Sequence, residues 1–412
     1  MTDAREADQC RSNRHRWAHR RPIDRDSIKG ALCGVAGALL LASACGPGGP
    51  APPSAKVPAK PSATPQTEQF SRAGWKTNFD RHSVPLTEIE SGGPPKDGIP
   101  ALDHPRFVGV AEADGWLKPV EPVIALTLGS QSRAYPLQIL VWHEIVNDTL
   151  GDVPVTITFC PLCYTAIAFD RRAAERILDF GTTGKLRRSD LVMYDRQTES
   201  WWQQAVGQAV VGDLTGTQLT ILPASIVSWD AFRTAHSEGL VLSRDTGFNR
   251  SYGTNPYAGY DQPNTRPFLF DGSLDGRLAP KEHVVTVSLA GDNVAYPYTL
   301  LKQQRVVHDT VGGTPIVVFY RPGTSSALDS GSLADGFDLG ASGVFSPRLD
   351  GRQLTFKAEG SDFVDSETGS HWSLLGRAVS GGLAGRQLDP IVHGDVFWFA
   401  WAAFNPSTRI YR

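Results

Sequence analysis

The sequence predicts a mainly β protein with a few short helices, built from two similar halves that pack together. Short segments rich in Val, Ile, Thr and aromatic residues alternate with turn dipeptides such as Asp350-Gly351, a pattern typical of short strands. Helical signals are few: the segment after Pro223 and its counterpart after Pro390 each predict one short helix. The third observation is that the second half of the chain repeats the pattern of the first.

The repeat has a constant offset over its best-matched part. Ala134-Tyr135-Pro136 recurs as Ala295-Tyr296-Pro297, and Asp148-Thr149 recurs as Asp309-Thr310. Later blocks also match, since GQAVVGDLTGTQL in the first half corresponds to GRAVSGGLAGRQL in the second. Similarity over such a length predicts an internal duplication.

The repeat and the changes in composition divide the chain into six segments. They are a signal peptide with a basic start (1–44), a Pro/Gly/Ala-rich tether (45–72), an irregular N-terminal segment (73–120), a first half (121–242), a connector rich in aromatic and turn residues (243–281) and a second half (282–412). We expect the connector to be a long ordered link, with packing over the junction of the halves as the alternative.

The N-terminus predicts export from the cytoplasm and a lipid anchor in the cell envelope. Eight Lys and Arg precede an uncharged apolar run, Gly30 to Ala44, which is too short and alanine-rich for a good spanning helix. The residues Leu41 to Cys45 resemble a bacterial lipoprotein box, which implies lipidation of Cys45 and attachment to a bacterial membrane. The alternative is an ordinary signal peptide and a secreted protein. The tether is too poor in large apolar residues to bury a core.

Composition and missing motifs exclude several classes of function. A formal net charge of −3 gives no reason to expect nucleic acid as a partner. The sequence has no G-x-S-x-G, Walker A or G-x-G-x-x-G pattern. His143-Glu144 begins like a zinc-protease helix, but Asn147 stands where the second His is needed. Tyr164 follows Cys-Pro-Leu-Cys where c-type haem attachment needs His.

The segment from Val141 to Asp170 contains the predicted site. Cys160 and Cys163 are the only cysteines that would remain as free thiols or a disulfide after processing, because the others leave with the signal peptide or are lipidated. They would then stand in a compartment where disulfides persist. A two-residue spacing suits a redox dithiol or half of a metal site. His143 and Glu144 precede the pair and complete the set of candidate site residues.

The second half serves as an internal control for these four residues. The flanking Tyr-Pro, Asp-Thr and proline positions are the same in both halves, whereas all four candidates differ. The replacements are Gln304 for His143, Arg305 for Glu144, Arg321 for Cys160 and Thr324 for Cys163. This pattern predicts one functional site in the first half and a degenerate copy in the second.

Three interpretations of the site remain open. In the first, no cofactor is needed and the pair cycles between dithiol and disulfide as a thiol oxidoreductase. An imidazolium at His143 would lower the pKa of one thiol, and Glu144 would orient the ring or pass a proton. The partner would be a thiol or disulfide protein or a small-molecule oxidant. In the second, Cys160, Cys163 and His143 bind a thiophilic metal, with copper as Cu(I) favoured over zinc. In the third, the pair is a permanent disulfide in a non-catalytic envelope module.

Several motifs together are similar to those of the domain-of-unknown-function 3179 family. They are HEIVND from His143, TFCPLCYTAIAFDR from Thr158, SDLVMYDRQTESWW from Ser189, GDLTGTQL from Gly212 and RSYGTNPYAGY from Arg250. The likeness covers about Trp75 to Arg412. The family is bacterial and archaeal, is often secreted or lipid-anchored, and has no settled activity.

That family resemblance also bears on the cysteine pair. Some members carry selenocysteine within the Cys-x-x-Cys motif, which here concerns Cys160 or Cys163. Because selenocysteine is usually a catalytic redox residue, the resemblance favours redox chemistry over a permanent disulfide. Tyr164 stands where glycine is common in the family, which implies narrower access to the sulfurs.

Overall fold

The computed structural model describes residues 70–412. The predicted signal peptide, the lipidation of Cys45 and the tether up to residue 69 lie outside the described residues. Within residues 70–412, none of the helices has the length and apolar character needed to cross a membrane.

The part of the chain before the connector consists mainly of short strands. They are β1 (Ile89–Ser91), β2 (Phe107–Gly109), β3 (Pro122–Leu128), β4 (Gln131–Pro136), β5 (Ile145–Leu150), β6 (Val153–Cys160), β7 (Thr165–Asp170), β8 (Arg172–Ala173), β9 (Arg176–Ile177), β10 (Phe180–Arg187), β11 (Asp190–Asp195), β12 (Trp201–Gln203), β13 (Gln208–Val211), β14 (Thr220–Leu222), β15 (Ala224–Ser228) and β16 (Leu240–Leu242). The helices are α1 (Val110–Ala113), α2 (Leu137–His143) and α3 (Trp229–Ala235), with 3-10 turns at Leu86–Glu88 and Gln204–Val206.

The part after the connector has the same character, so the predicted mainly β class is confirmed. The strands are β17 (His283–Leu289), β18 (Asp292–Pro297), β19 (Val306–Val311), β20 (Thr314–Arg321), β21 (Ala341–Phe345), β22 (Arg348–Leu349), β23 (Arg352–Gln353), β24 (Phe356–Glu359), β25 (Asp362–Asp365), β26 (His371–Trp372), β27 (Ala378–Ser380), β28 (His393–Phe397) and β29 (Arg409–Ile410). The helices are α4 (Tyr298–Gln304) and α5 (Trp398–Phe404), with a 3-10 turn at Leu333–Asp335.

The strands before the connector, which include β1 and β2 of the N-terminal segment, form three main sheets. Their orders are β15-β3-β4-β16-β2, β14-β7-β6-β5 and β1-β10-β11-β12-β13. The second of these sheets carries the cysteines, because β6 ends at Cys160 and β7 returns directly beside it. β6 is buried along nearly its whole length, in agreement with its continuous apolar sequence.

The second half forms sheets in the orders β28-β17-β18-β29, β19-β20-β21 and β24-β25-β26-β27. Its pairing resembles that of the first half in an uncommon detail. β16 lies parallel to β4 with Val241 opposite Ala134, and β29 lies parallel to β18 with Ile410 opposite Ala295. A duplication would produce this repeated pairing, and the duplication itself stays a prediction.

One large apolar cluster joins the two halves. It contains Phe159 and both cysteines from the first half together with Tyr298 and Phe397 from the second. Burial of apolar surface on this scale is the main favourable term in folding. The cysteine turn is therefore enclosed by side chains from both halves.

Candidate functional site

The two cysteines lie at the ends of a tight turn between β6 and β7. Cys160 is the last residue of β6 and pairs with Thr165, the first residue of β7. Within the turn, Cys163 N donates to Cys160 O at 3.2 Å and Tyr164 N donates to Pro161 O at 3.3 Å. This folded backbone brings the two side chains together on one side of the turn.

The two side chains are thiols whose sulfur atoms lie 3.2 Å apart. A disulfide bond is about 2.05 Å long, so the sulfurs need to approach by roughly 1 Å to form one. Both thiols are enclosed, with 1% of Cys160 and 0% of Cys163 exposed. The geometry therefore permits an intramolecular disulfide at a position shielded from bulk solvent.

A second hairpin turn, between β10 and β11, approaches the sulfurs from the other side. Its two central residues, Arg188 and Ser189, have φ angles of 54° and 65°. Positive φ at both central positions is the type I′ arrangement, which normally uses Asn or Gly. Non-glycine residues there cost about 1–2 kcal/mol each. The carbonyl oxygen of Ser189 lies 3.2 Å from Cys163 Sγ and 3.9 Å from Cys160 Sγ.

The strained turn also delivers Asp190 to the sulfurs. One carboxylate oxygen, Oδ1, lies 3.3 Å from Cys163 Sγ. The other, Oδ2, accepts hydrogen bonds from the Gln203 side chain and, at 3.0 Å, from Ala205 N. Burial raises the pKa of Asp190 to about 6, although these hydrogen bonds oppose the rise. Asp190 can therefore change its protonation state in the physiological pH range.

The environment disfavours thiolates at both sulfurs. Burial raises the pKa of Cys160, and the negative charges of Asp190 and Glu144 raise it further. Burial also raises the pKa of Cys163 well above its usual value, with Cys160 and Asp190 adding to the effect. The direction is opposite to that expected from an imidazolium neighbour. A thiolate at this site needs a local base or a bound cation.

Glu144 lies between α2 and β5, next to the end of β6 that carries Cys160. It follows α2 with φ 58°, and its carbonyl oxygen accepts a hydrogen bond from Phe159 N at 2.8 Å. The Tyr257 side chain lies beside its carboxyl group and favours the ionised form, which opposes the rise of the Glu144 pKa. Burial first, and the charge of Asp190 second, raise the pKa of Glu144 to about 8. This carboxyl group is therefore mainly protonated at neutral pH.

His143 is buried and makes its hydrogen bonds away from the sulfurs. Its Nδ1 lies 2.7 Å from Pro100 O and its Nε2 lies 2.7 Å from Tyr252 OH. Burial lowers the pKa of His143, which disfavours the imidazolium form. In this geometry His143 joins the connector to the N-terminal segment, and its catalytic role stays a prediction.

The connector covers the cysteine turn. Tyr260 OH donates to Leu162 O at 3.2 Å and accepts from Phe268 N at 3.2 Å. The Tyr260 ring is held by Lys281, whose Nζ lies 3.4 Å from the ring centre. The connector therefore contributes Tyr260 directly above the Cys-Pro-Leu-Cys backbone.

No role was predicted from the sequence for Asp190, Ser189, Tyr257 or Tyr260. All four lie within the family-like segments SDLVMYDRQTESWW and RSYGTNPYAGY. An acidic residue at the start of a strand with an apolar sequence was the available signal for Asp190. Nothing in the sequence of either segment indicates which of its residues face the sulfurs or the Glu144 carboxyl group.

Three of these groups have the spacing of a metal site. The Sγ atoms of Cys160 and Cys163 and a carboxylate oxygen of Asp190 all lie within 4.8 Å of one another. Thiolate and carboxylate are both known ligands of zinc, and paired thiolates also suit Cu(I). The third possible metal ligand in this group is Asp190. The sequence had predicted His143 for that role.

A protein family described as Protein of unknown function (DUF3179) matches residues 96–408 of the chain. The chain belongs to this family. No curated protein and no solved structure matches the chain. The matched DUF3179 region contains both hairpin turns, the connector and every candidate site residue except Cys45.

Tyr164 departs from the glycine expected in the DUF3179 family, and the structure gives the physical consequence. Its φ is 53°, in the left-handed region that favours glycine. Its ring is 1% exposed, lies 4.6 Å from the His283 ring and 5.6 Å from the Phe397 ring, and so packs against the second half. Burial of the ring offsets the cost of the backbone conformation.

Proposed function

We propose that the protein is a thiol–disulfide oxidoreductase that uses Cys160 and Cys163, with Asp190 as the proton acceptor for Cys163. The observation that carries this proposal is the contact of 3.3 Å between Cys163 Sγ and Asp190 Oδ1, beside a second sulfur at 3.2 Å. A carboxylate at this distance supplies the base that a buried thiol of raised pKa requires.

The proposed substrate is a small-molecule disulfide. Because the sulfurs are 1% and 0% exposed, a small molecule reaches them with less rearrangement than a folded protein would require. Leu162 and Tyr260 are only partly buried and lie over the turn, so this is the expected direction of approach.

In the first step Cys160 attacks the substrate disulfide. Cys160 takes this role because the Asp190 carboxylate, the proposed base, lies against Cys163 and so serves the resolving thiol. A mixed disulfide forms on Cys160, the substrate S–S bond breaks, and the proton of Cys160 leaves with the first substrate thiol.

In the second step Cys163 resolves the mixed disulfide. Asp190 takes the proton of Cys163, whose thiolate attacks the Cys160 sulfur. The Cys160–Cys163 bond forms, and the second substrate thiol leaves with the proton held by Asp190. Two protein thiols are oxidised and one small disulfide is reduced to two thiols, so electrons and protons balance.

The test follows the two steps by mass spectrometry on the full-length protein treated with hydroxyethyl disulfide. We expect Cys160 and Cys163 of the native protein both to lose their thiols without a mass adduct on either. We expect Cys163→Ser to accumulate a single adduct on Cys160, and Cys160→Ser to accumulate none. Absence of the adduct on Cys163→Ser, together with a native pair that stays reduced, would overturn the proposal. A native pair that resists reduction by excess dithiothreitol would indicate a permanent structural disulfide.

A second candidate function is binding of a thiophilic metal, with Cu(I) as the proposed ion. It is supported by the grouping of the two sulfurs and the Asp190 carboxylate within 4.8 Å. Binding would convert both thiols to thiolates and release their protons. Metal analysis of protein purified without chelators, followed by Cu(I) and Zn(II) titration of the native protein and Asp190→Ala, tests this candidate. Stoichiometric metal, lost in the variant and blocking reaction with hydroxyethyl disulfide, would favour it over the redox proposal.

The proposed location is the outer face of a bacterial membrane, held by a lipid on Cys45. The support is the sequence of the first 45 residues, with its basic start, apolar run and lipoprotein-like box. Incorporation of labelled palmitate into the native protein, but not into Cys45→Ser, is the expected result. A native protein that is exported without label would be secreted instead.

A further inference from the structure

A cavity of about 260 Å³ lies between the two halves, apart from the thiol cluster. β7 from the first half and α5 from the second form opposite parts of its wall. β14 pairs with β7 only from Ala168 to Asp170, which leaves the edge at Thr165–Ile167 facing the cavity. The cavity is thus a product of the junction between the halves.

Thr165 and Ala205 separate this cavity from the thiol cluster. Thr165 Oγ1 donates to Cys163 O at 3.3 Å, and Ala205 N donates to Asp190 Oδ2 at 3.0 Å. Both residues also line the cavity, whereas neither cysteine does. A molecule bound in the cavity would therefore be separated from the sulfurs by Thr165 and Ala205 and would contact neither sulfur.

The chemistry of the lining selects a neutral ligand. None of the residues that line this cavity is Asp, Glu, Lys or Arg, and most are Ala, Val, Ile, Leu or aromatic. His393 is the one titratable side chain of the lining, and its Nδ1 lies 2.9 Å from Ile391 O. An isolated charge in such surroundings pays a large desolvation cost. Polar groups gather near the opening, where Ser288 is exposed and Asn405 is partly exposed.

Two aromatic side chains favour a planar ring. Trp401 and Phe404 both line the cavity. The indole N–H of Trp401 donates to Thr408 Oγ1 at 2.7 Å, which leaves the carbon surface of the ring for packing. Aromatic rings stack or pack edge to face with ligands of the same kind.

We propose that this cavity binds a small, neutral, planar aromatic molecule that carries one hydroxyl or carbonyl group. A dry cavity of ~150 Å³ holds benzene, so the present volume suits a ligand on the order of ten non-hydrogen atoms. The ring lies against Trp401 and Phe404, and the polar group faces Ser288 and Asn405 at the opening. This site is independent of the proposed redox chemistry.

The test uses the full-length protein and two probes that share one ring system. Isothermal titration calorimetry with 2-naphthol is expected to give saturable binding at one site per chain. 2-Naphthalenesulfonate, which carries a permanent negative charge, is expected to bind at least about tenfold more weakly because of its desolvation cost. Equal affinity for the two probes, or no saturable binding of 2-naphthol, would overturn the proposal.

A matched pair of variants assigns the binding to this cavity. Ala400 on α5 lines the cavity, and Ala231 holds the corresponding third position of α3 but lies elsewhere. Both are buried, at 2% and 5% exposed. Ala400→Leu should weaken 2-naphthol binding at least about tenfold by filling the space, whereas Ala231→Leu should leave the affinity unchanged.

Two further variants keep this test decisive. If Ala400→Leu does not fold, Ala166→Leu fills the cavity from β7 with the same expected loss. Native affinity in a folded cavity-filling variant would overturn the assignment. Cys163→Ser should bind 2-naphthol as the native protein does, so failure of the redox proposal leaves this result unaffected.

Discussion

The segments before β6 and before β20 have nearly the same backbone but different side chains. Glu144 ends α2 with φ 58°, and Arg305 ends α4 with φ 60°. The carbonyl oxygen of each accepts a hydrogen bond from the central strand, from Phe159 N at 2.8 Å and from Tyr320 N at 2.9 Å. The left-handed residue after the helix therefore belongs to the scaffold, and only its side chain differs between the halves.

The two regions differ most after the central strand ends. β6 is joined to β7 by residues 161–164, whereas β20 is joined to β21 by the longer segment 322–340. The short turn brings Cys163, the third residue after β6, back to the sulfur of Cys160, the last residue of β6. In the second half Arg321 is partly exposed, and the backbone N–H of Thr324 donates to Asp338 instead. The tight turn, in addition to the cysteines, distinguishes the first region from the second.

The largest expected effect on the reaction with hydroxyethyl disulfide comes from replacing Cys163 by threonine, the residue at the equivalent position of the second half. Cys163→Thr should abolish oxidation of the pair by hydroxyethyl disulfide, because Cys160 then has no resolving thiol. The free energy of unfolding should change by only about 1 kcal/mol, since threonine is of similar size. Alkylation of free thiols followed by mass spectrometry measures the first quantity, and urea unfolding measures the second.

The reciprocal change is the control for this comparison. Thr324→Cys adds a buried thiol to the second half, where Arg321 provides no partner sulfur. The added thiol should stay out of any intramolecular disulfide, while Cys160 and Cys163 still form theirs. Disulfide turnover by Cys163→Thr would contradict the assignment of Cys163.

The next largest effect should come from Asp190→Asn, which keeps the shape of the side chain and removes the base. Release of the second substrate thiol should slow by about 100-fold, while formation of the mixed disulfide is unchanged. In the native protein this step should accelerate as the pH rises from 5 to 7, because Asp190, with a pKa of about 6, becomes ionised. Stopped-flow measurement of both steps from pH 5 to 8 tests this, and a pH dependence retained in the variant would exclude Asp190 as the base.

Tyr164→Gly tests two opposing contributions of Tyr164 to stability. They are the cost of its left-handed backbone conformation and the gain from packing its ring against the second half. Loss of a large buried ring costs about 3–5 kcal/mol, and relief of the left-handed conformation returns about 1–2 kcal/mol. We expect a net destabilisation of about 1–4 kcal/mol by urea unfolding. Reaction with hydroxyethyl disulfide should become faster because the turn is less enclosed.

Tyr164→Phe is the matched variant for the ring itself. It keeps the buried ring and loses only the hydroxyl, which accepts from Ala327 N at 3.4 Å. A loss of about 1 kcal/mol is expected. If Tyr164→Gly is as stable as the native protein, contact with the second half does not stabilise the turn.

Glu144 and Arg305 form the last pair for comparison, through the slope of stability against pH rather than through a change at one pH. The pKa of Glu144 is about 8 in the folded protein and near 4.5 when unfolded, so between these values only the unfolded state has lost the proton. Unfolding then releases a proton, and stability falls as the pH rises through this window by up to about 1.4 kcal/mol per pH unit. Glu144→Gln should reduce this slope in urea unfolding at pH 5, 6, 7 and 8.

Arg305→Gln is the control, because it changes the equivalent residue of the second half. It should retain the native slope of stability against pH. An unchanged slope in Glu144→Gln would mean that this carboxyl group titrates near its ordinary pKa in the folded protein.

The sequence by itself determined the β-rich class and the position of the cysteines. Alternation of β-branched residues with turn residues depends on local chain geometry, so it can be recognised without tertiary contacts. The absence of both cysteines from the second half singled out Cys160 and Cys163, because a comparison of aligned residues needs no tertiary contacts either. The distance between Glu144 and the cysteines depended on how β5 pairs with β6, which the sequence alone did not determine.

Only the tertiary structure decided which groups face the sulfurs. Asp190 comes from a separate hairpin and Tyr260 from the connector, and their positions depend on the packing of sheets and halves. The same packing determines the pKa values of the thiols. An imidazolium at His143 was expected to lower the pKa of one thiol, whereas burial raises the pKa of both. Residue identity along the chain specifies which groups can ionise, whereas desolvation and neighbouring charges, which exist only in the folded protein, determine the pH at which they do so.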